Sequence, residues 1–102
     1  MKFGLKEKDI HAVNSLFSQF GNINRVVIYG SRAKGNYKPG SDIDLTIEGD
    51  LTFSQQMRLE NELDDLLLPY KIDLSQIHKI SNPDLLEHIR RVGKVFYEKQ
   101  SA

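Results

Sequence analysis

The 102-residue chain reads as an α/β fold with one small sheet, and three observations predict it. Apolar residues recur at helical spacing in the longer segments, short β-branched runs separate them, and turn residues mark nearly every junction. The resulting order is helix, strand, helix, strand, helix, strand, helix, the alternation expected of an α/β arrangement.

From Lys6 to Phe20 the apolar positions Ile10, Val13, Leu16, Phe17 and Phe20 share one helical face, and Gly21-Asn22 stops the helix. Asn24 to Tyr29 is a short strand rich in β-branched residues and buried on both faces. Ser31 to Gly35 allows one or two helical turns, and Asn36 to Ser41 is turn chemistry throughout. Ile43 to Glu48 is the second strand, closed by Gly49-Asp50. Thr52 and Gln55 form a capping box for a third helix. Its apolar stripe is expected from Phe53, Met57, Leu63, Leu66 and Leu67, and Pro69 ends it. Lys71 to Ser75 is the third strand. Asn82 caps the last helix with Pro83 in its first turn; Leu85, Leu86, Ile89 and Val92 face inward and Gly93 terminates it. Val95-Phe96-Tyr97 is expected to pack back as a short tail.

Composition narrows the function. Lysine plus arginine equals aspartate plus glutamate at 14 each, so no broad cationic surface advertises nucleic acid as a partner. The absence of cysteine excludes disulfides and thiolate metal sites. No signal-peptide core is visible at the N-terminus, and no apolar run approaches the ~20 residues needed to cross a bilayer. A soluble, cytoplasmic protein with no membrane association is expected.

The chemistry concentrates in Gly30-Ser31 and, ten residues further on, Asp42-Ile43-Asp44. Gly30-Ser31 occupies the turn leaving the first strand, where backbone N–H groups can face a phosphate. Asp42 and Asp44 stand at i and i+2 and so point to one face of the second strand. Asp73, on the third strand, would complete a set of three acids. Two hard cations about 3.5–4 Å apart can activate an attacking hydroxyl and neutralise a pyrophosphate leaving group. Magnesium suits a few carboxylates, waters and substrate phosphate oxygens. Gly30 permits close backbone approach, and the Ser31 hydroxyl can donate to a β- or γ-oxygen. Arg32 and Lys34 are placed to balance phosphate charge, Lys38 is a further candidate, and Ser41 precedes the acidic pair. His11, His78 and His88 show no ligand spacing and are expected at the surface or the core edge. Tyr29 is expected in the core.

Gly30-Ser31-Arg32-Ala33-Lys34-Gly35 together with Ser41-Asp42-Ile43-Asp44-Leu45 resembles the signature of the polymerase-beta-type nucleotidyltransferase superfamily, more narrowly its minimal members. Ile72-Asp73-Leu74 sits where that family carries its third acid. The resemblance implies a single minimal nucleotidyltransferase domain over residues 1–102, with a small mixed sheet flanked by helices. It implies Asp42, Asp44 and Asp73 as catalytic metal ligands for magnesium in a two-metal site. Gly30, Ser31, Arg32, Lys34 and Ser41 would bind the nucleotide, with ATP as substrate. Larger relatives hold the acceptor on an added domain. The resemblance therefore implies that another chain supplies the acceptor here, an all-helical HEPN-type protein in a toxin–antitoxin pair. Adenylylation of that partner is the leading expectation. The alternatives are an antitoxin acting by binding alone, and transfer to a small antibiotic-like hydroxyl in a pocket completed by a partner or a homo-oligomer.

Overall fold

The computed structural model describes residues 1–100. Its elements run α1 (Glu7–Phe17), β1 (Ile23–Tyr29), α2 (Gly30–Lys34), β2 (Ile43–Gly49), α3 (Phe53–Asp65), β3 (Ile72–Gln76), a 3-10 turn (Ile77–Lys79), α4 (Pro83–Val92) and β4 (Lys94–Glu98). The four strands form one sheet in the order β3-β2-β1-β4. β1 pairs antiparallel with both β2 and β4, whereas β2 and β3 run parallel and are joined by α3 as the crossover. The sheet is mixed and flanked by helices.

Strand alternation divides the core in two. Val26 and Ile28 of β1, with Ile43, Leu45 and Ile47 of β2, meet Val13 and Phe17 of α1 and Leu59 and Leu63 of α3 in the larger core. Val27 and Tyr29 face the other way and meet Ile89 of α4 in a smaller one. Strand β1 is thus buried on both faces from Val26 to Tyr29. The helix caps follow the sequence: Thr52 and Gln55 close a full capping box, and the Asn82 side chain accepts from the Asp84 and Leu85 N–H groups.

Three expectations need correction. The segment around Val95-Phe96-Tyr97 is a fourth strand, antiparallel to β1, with the register shifting at Phe96 between the pairs Val26↔Tyr97 and Val27↔Val95. Its alternation buries Phe96 while leaving Val95 exposed, which five residues of sequence after a helix barely announce. Helix α1 ends at Phe17, and Phe20 reaches the core from the turn beyond it. On α3 the buried pair is Leu59 and Leu63, while Phe53 and Leu67 are 77% and 87% exposed. Met57 lies roughly 200° around the helix from Leu59, so both cannot face the sheet. The helix also stops at Asp65, before Pro69, with Leu67 in left-handed conformation beyond it.

Candidate active site

The sheet register assembles the candidate residues. Tyr29 at the end of β1 pairs with Asp44 of β2, and Asp44 pairs with Asp73 of β3. Residues paired this way share a face, so Asp44 and Asp73 project side by side, one strand spacing of ~4.8 Å apart. Asp42 lies two residues before Asp44 and just ahead of β2. Asp44 and Asp73 stand on the face that α4 covers only in part, and the charge of Asp42 reaches Asp44; Asp42 and Asp73 are exposed and Asp44 is half-buried.

Gly30 follows Tyr29 with φ +74°, a conformation that side-chain-bearing residues rarely adopt. A Cβ built there would overlap the Asp44 carboxylate. The turn carrying Ser31 is therefore seated directly against the central acid. Burial pushes the Asp44 carboxyl up from its ordinary value; the neighbouring charge of Asp73, and then that of Asp42, add to the rise, while His88 opposes it. Burial likewise raises the Tyr29 phenol, Ser75 beside it pulls the other way, and the charges of Asp44 and Asp73 add to the rise.

The ion pairs among the described residues join Arg25 to Glu48, Arg58 to Glu62 and Arg91 to Glu87. None involves the three acids, so their mutual repulsion is left for a cation to relieve. Among the described residues, no three His, Asp or Glu side chains converge tightly enough to hold a metal alone. Asp44 and Asp73, paired across β2 and β3, offer two carboxylates side by side. That suits magnesium, which completes its octahedron with waters and substrate phosphate oxygens, better than an ion needing an all-protein cage.

The remaining predicted residues divide. Ser31 is half-buried beside the acids, and Lys34 is exposed at the end of α2. Arg32 does not fit its expected place on phosphate. It is 2% exposed, with Nη1 donating to the Phe3 carbonyl at 2.9 Å and Nε and Nη2 to the Ser41 carbonyl at 3.1 and 2.8 Å. Its guanidinium carbon lies 5.2 Å from the Tyr37 ring centroid and 4.8 Å from that of Tyr70. Arg32 fastens the loop before Asp42 to the turn after Gly30. Ser41 takes part in the same brace: its carbonyl accepts from Arg32, and its hydroxyl accepts from the Lys38 N–H at 2.8 Å. Lys38 is exposed in that loop.

Sequence reasoning missed residues of this face. Ser75 and Thr46 stand two positions beyond Asp73 and Asp44, so strand alternation alone could have found them. His88 had no such signal. It arrives from α4, and its Nε2 accepts from the Gly30 N–H at 3.2 Å.

With this geometry in place, the chain matches over residues 11–102 the family described as Polymerase beta, Nucleotidyltransferase. The chain belongs to that family. The protein adenylyltransferase MntA of Haemophilus influenzae is 34% identical over 98 residues, covering 94% of this chain and 85% of that protein. A solved minimal nucleotidyltransferase superposes with a TM-score of 0.69 at 27% identity, covering 92% of this chain and 95% of its own. The fold is also that of a chain in the complex of the tri-AMPylated Shewanella oneidensis HEPN toxin with MNT antitoxin, with a TM-score of 0.67 at 16% identity. That likeness covers 93% of this chain and 74% of the other. No described helix is long and apolar enough to cross a membrane.

Proposed function

We propose that this nucleotidyltransferase moves AMP from ATP onto a hydroxyl of an all-helical HEPN-type partner and acts as the antitoxin of a toxin–antitoxin pair. The observation that carries the site assignment is the in-register pairing of Asp44 with Asp73 beside the Gly30-Ser31 turn. The identity of the acceptor is supported by the 34% identical adenylyltransferase and by the AMPylated toxin bound to a protein of this fold.

In this reading the Ser31 hydroxyl donates to a non-bridging oxygen of the triphosphate, and Lys34 balances its charge from the end of α2. Asp42, Asp44 and Asp73 are the residues that would hold magnesium, which supplies activation of the acceptor hydroxyl and neutralisation of the leaving pyrophosphate. Asp73, the exposed acid of the pair, faces the incoming acceptor and takes its hydroxyl proton. A bond forms between that oxygen and the α-phosphorus as the bond to the β-phosphate bridging oxygen breaks, releasing pyrophosphate. Arg32 stays outside this chemistry and positions the loop that ends at Asp42. The cytoplasm, where ATP and a newly made partner are both present, is the setting that fits.

The test combines the purified protein with its partner, ATP and magnesium, and reads the partner by intact mass and peptide mapping. The expected result is one or more AMP additions on hydroxyl side chains, lost with Asp44→Asn and Asp73→Asn. A partner left unmodified by wild type while still neutralised would favour binding alone.

A further inference from the structure

Helix α4 carries a histidine into the site that the reaction as described does not use. His88 is half-buried beside the buried Ile89, which packs on Val27 and Tyr29. Its ring stands edge-on to Tyr29, with centroids 6.2 Å apart and an interplanar angle of 80°. Its Nε2 accepts the Gly30 N–H at 3.2 Å, a bond spanning 58 residues of sequence. Two contacts, one to the end of β1 and one to the start of α2, thus fix this imidazole.

The consequence follows from what Gly30 touches. An N–H group bonds well to one acceptor at a time, so the Gly30 donor is taken, and the turn presents the donors of Ser31 to an incoming phosphate. Gly30 also abuts the Asp44 carboxylate closely enough that no Cβ fits between them. A group that holds Gly30 therefore sets both the height of Ser31 and the resting place of Asp44.

We propose that His88 is a positioning residue of the nucleotide site: by holding the Gly30 N–H it directs Ser31 rather than Gly30 to the triphosphate and keeps the turn seated on Asp44. This rests on the nucleotide-binding reading above. His88 works from the helix on the sheet's less covered face, whereas Arg32 braces the same turn from the side of Phe3 and Ser41. The turn is thereby held from two directions before nucleotide arrives.

Two variants separate the acceptor from the ring. His88→Phe keeps an aromatic edge toward Tyr29 and removes the acceptor; His88→Gln returns an acceptor on a flexible stem. Binding of the non-hydrolysable analogue AMP-PNP with magnesium is measured by calorimetry, and KM for ATP and kcat in the transfer assay with the partner. His88→Phe is expected to weaken AMP-PNP binding and raise KM about five- to tenfold, as loss of one hydrogen bond from a part-buried donor predicts. Its kcat should fall less than its KM rises, since Arg32 still braces the turn from the other side, and His88→Gln should recover most of the affinity. Unchanged or tighter binding by His88→Phe overturns the proposal, since it would mean that His88 is idle or competes with phosphate for Gly30. Should His88→Phe fail to fold, the coupling between the Gly30 amide and the His88 Nε2 nitrogen in labelled wild type decides. Persistence of that coupling with AMP-PNP bound supports the proposal, and its loss on binding overturns it. A wild type that binds no nucleotide removes the functional reading and this inference together; a wild type that binds while His88→Phe binds equally well removes this inference alone.

Discussion

Alanine at Gly30 and alanine at Gly35 form a matched pair that isolates the contact between the turn and the central acid. Both glycines are left-handed, at φ +74° and +90°, so either substitution carries backbone strain of ~1–2 kcal/mol, partly offset by the stiffer unfolded chain. Only one of them has a neighbour. Among the described residues a Cβ at Gly35 meets nothing within 4 Å, whereas one at Gly30 falls on the Asp44 carboxylate. At Gly30 either the turn or the acid must give way by roughly 1 Å, a displacement that costs on the order of 10²-fold in a positioned reaction. For Gly35→Ala a loss of about 1 kcal/mol is expected, read as a fall of roughly 4–8 °C in Tm, with AMP transfer within about threefold of wild type. For Gly30→Ala a similar or larger fall in Tm should accompany a loss of transfer of about 10²-fold or more. The measurements are thermal unfolding by circular dichroism and initial rates with the partner in excess. Near-normal transfer by Gly30→Ala, or an equal loss by Gly35→Ala, would refute the claim that Gly30 seats the turn on Asp44.

Asp44→Asn should abolish transfer and yet raise Tm at neutral pH in the absence of divalent metal. The sign follows from linkage: the folded carboxyl is raised above its unfolded value, so ionisation costs the fold stability, fully so above the folded pKa and progressively less as pH falls through it. A lower Tm for Asp44→Asn at pH 7 contradicts this. Arg32→Lys should destabilise by about 2 kcal/mol in urea unfolding, because an ammonium cannot serve the Phe3 and Ser41 carbonyls together while stacking on Tyr37 and Tyr70; stability equal to wild type would show the brace to be dispensable. Thr46→Val should be neutral or stabilising by up to about 1 kcal/mol, since the buried Thr46 hydroxyl has no hydrogen-bond partner among the described residues and valine keeps its shape. A loss above 1 kcal/mol in the same urea assay would point to a partner for that hydroxyl.

Local chemistry was legible in the sequence where local physics decides it. The capping box at Thr52 and Gln55, the Asn82-Pro83 helix start and the glycine turn after Tyr29 depend on neighbours a few residues away. Asp42 lies just ahead of the strand, and the facing of Asp44 follows from strand alternation alone. That Asp73 lies opposite Asp44 does not, because register across a parallel pair is set by how α3 crosses over the sheet. Arg32 was misread for a related reason. A cation three residues into a phosphate-binding signature invites a phosphate, and only the return of Phe3, Tyr37 and Tyr70 around it reveals a buried brace. His88 was illegible altogether, since its approach to Gly30 depends on the docking of α4. The fourth strand escaped because Lys94 to Glu98 gains its partner, β1, only in the folded sheet.

The most direct measurement uses ATP labelled in turn at the α- and the γ-phosphate, incubated with magnesium and the helical partner. The acids paired across β2 and β3 predict that α-label moves onto the partner, that γ-label leaves with pyrophosphate, and that Asp73→Asn stops both. Transfer of γ-label, or α-label transfer unchanged when Asp73 is removed, would contradict nucleotidyl transfer at this site.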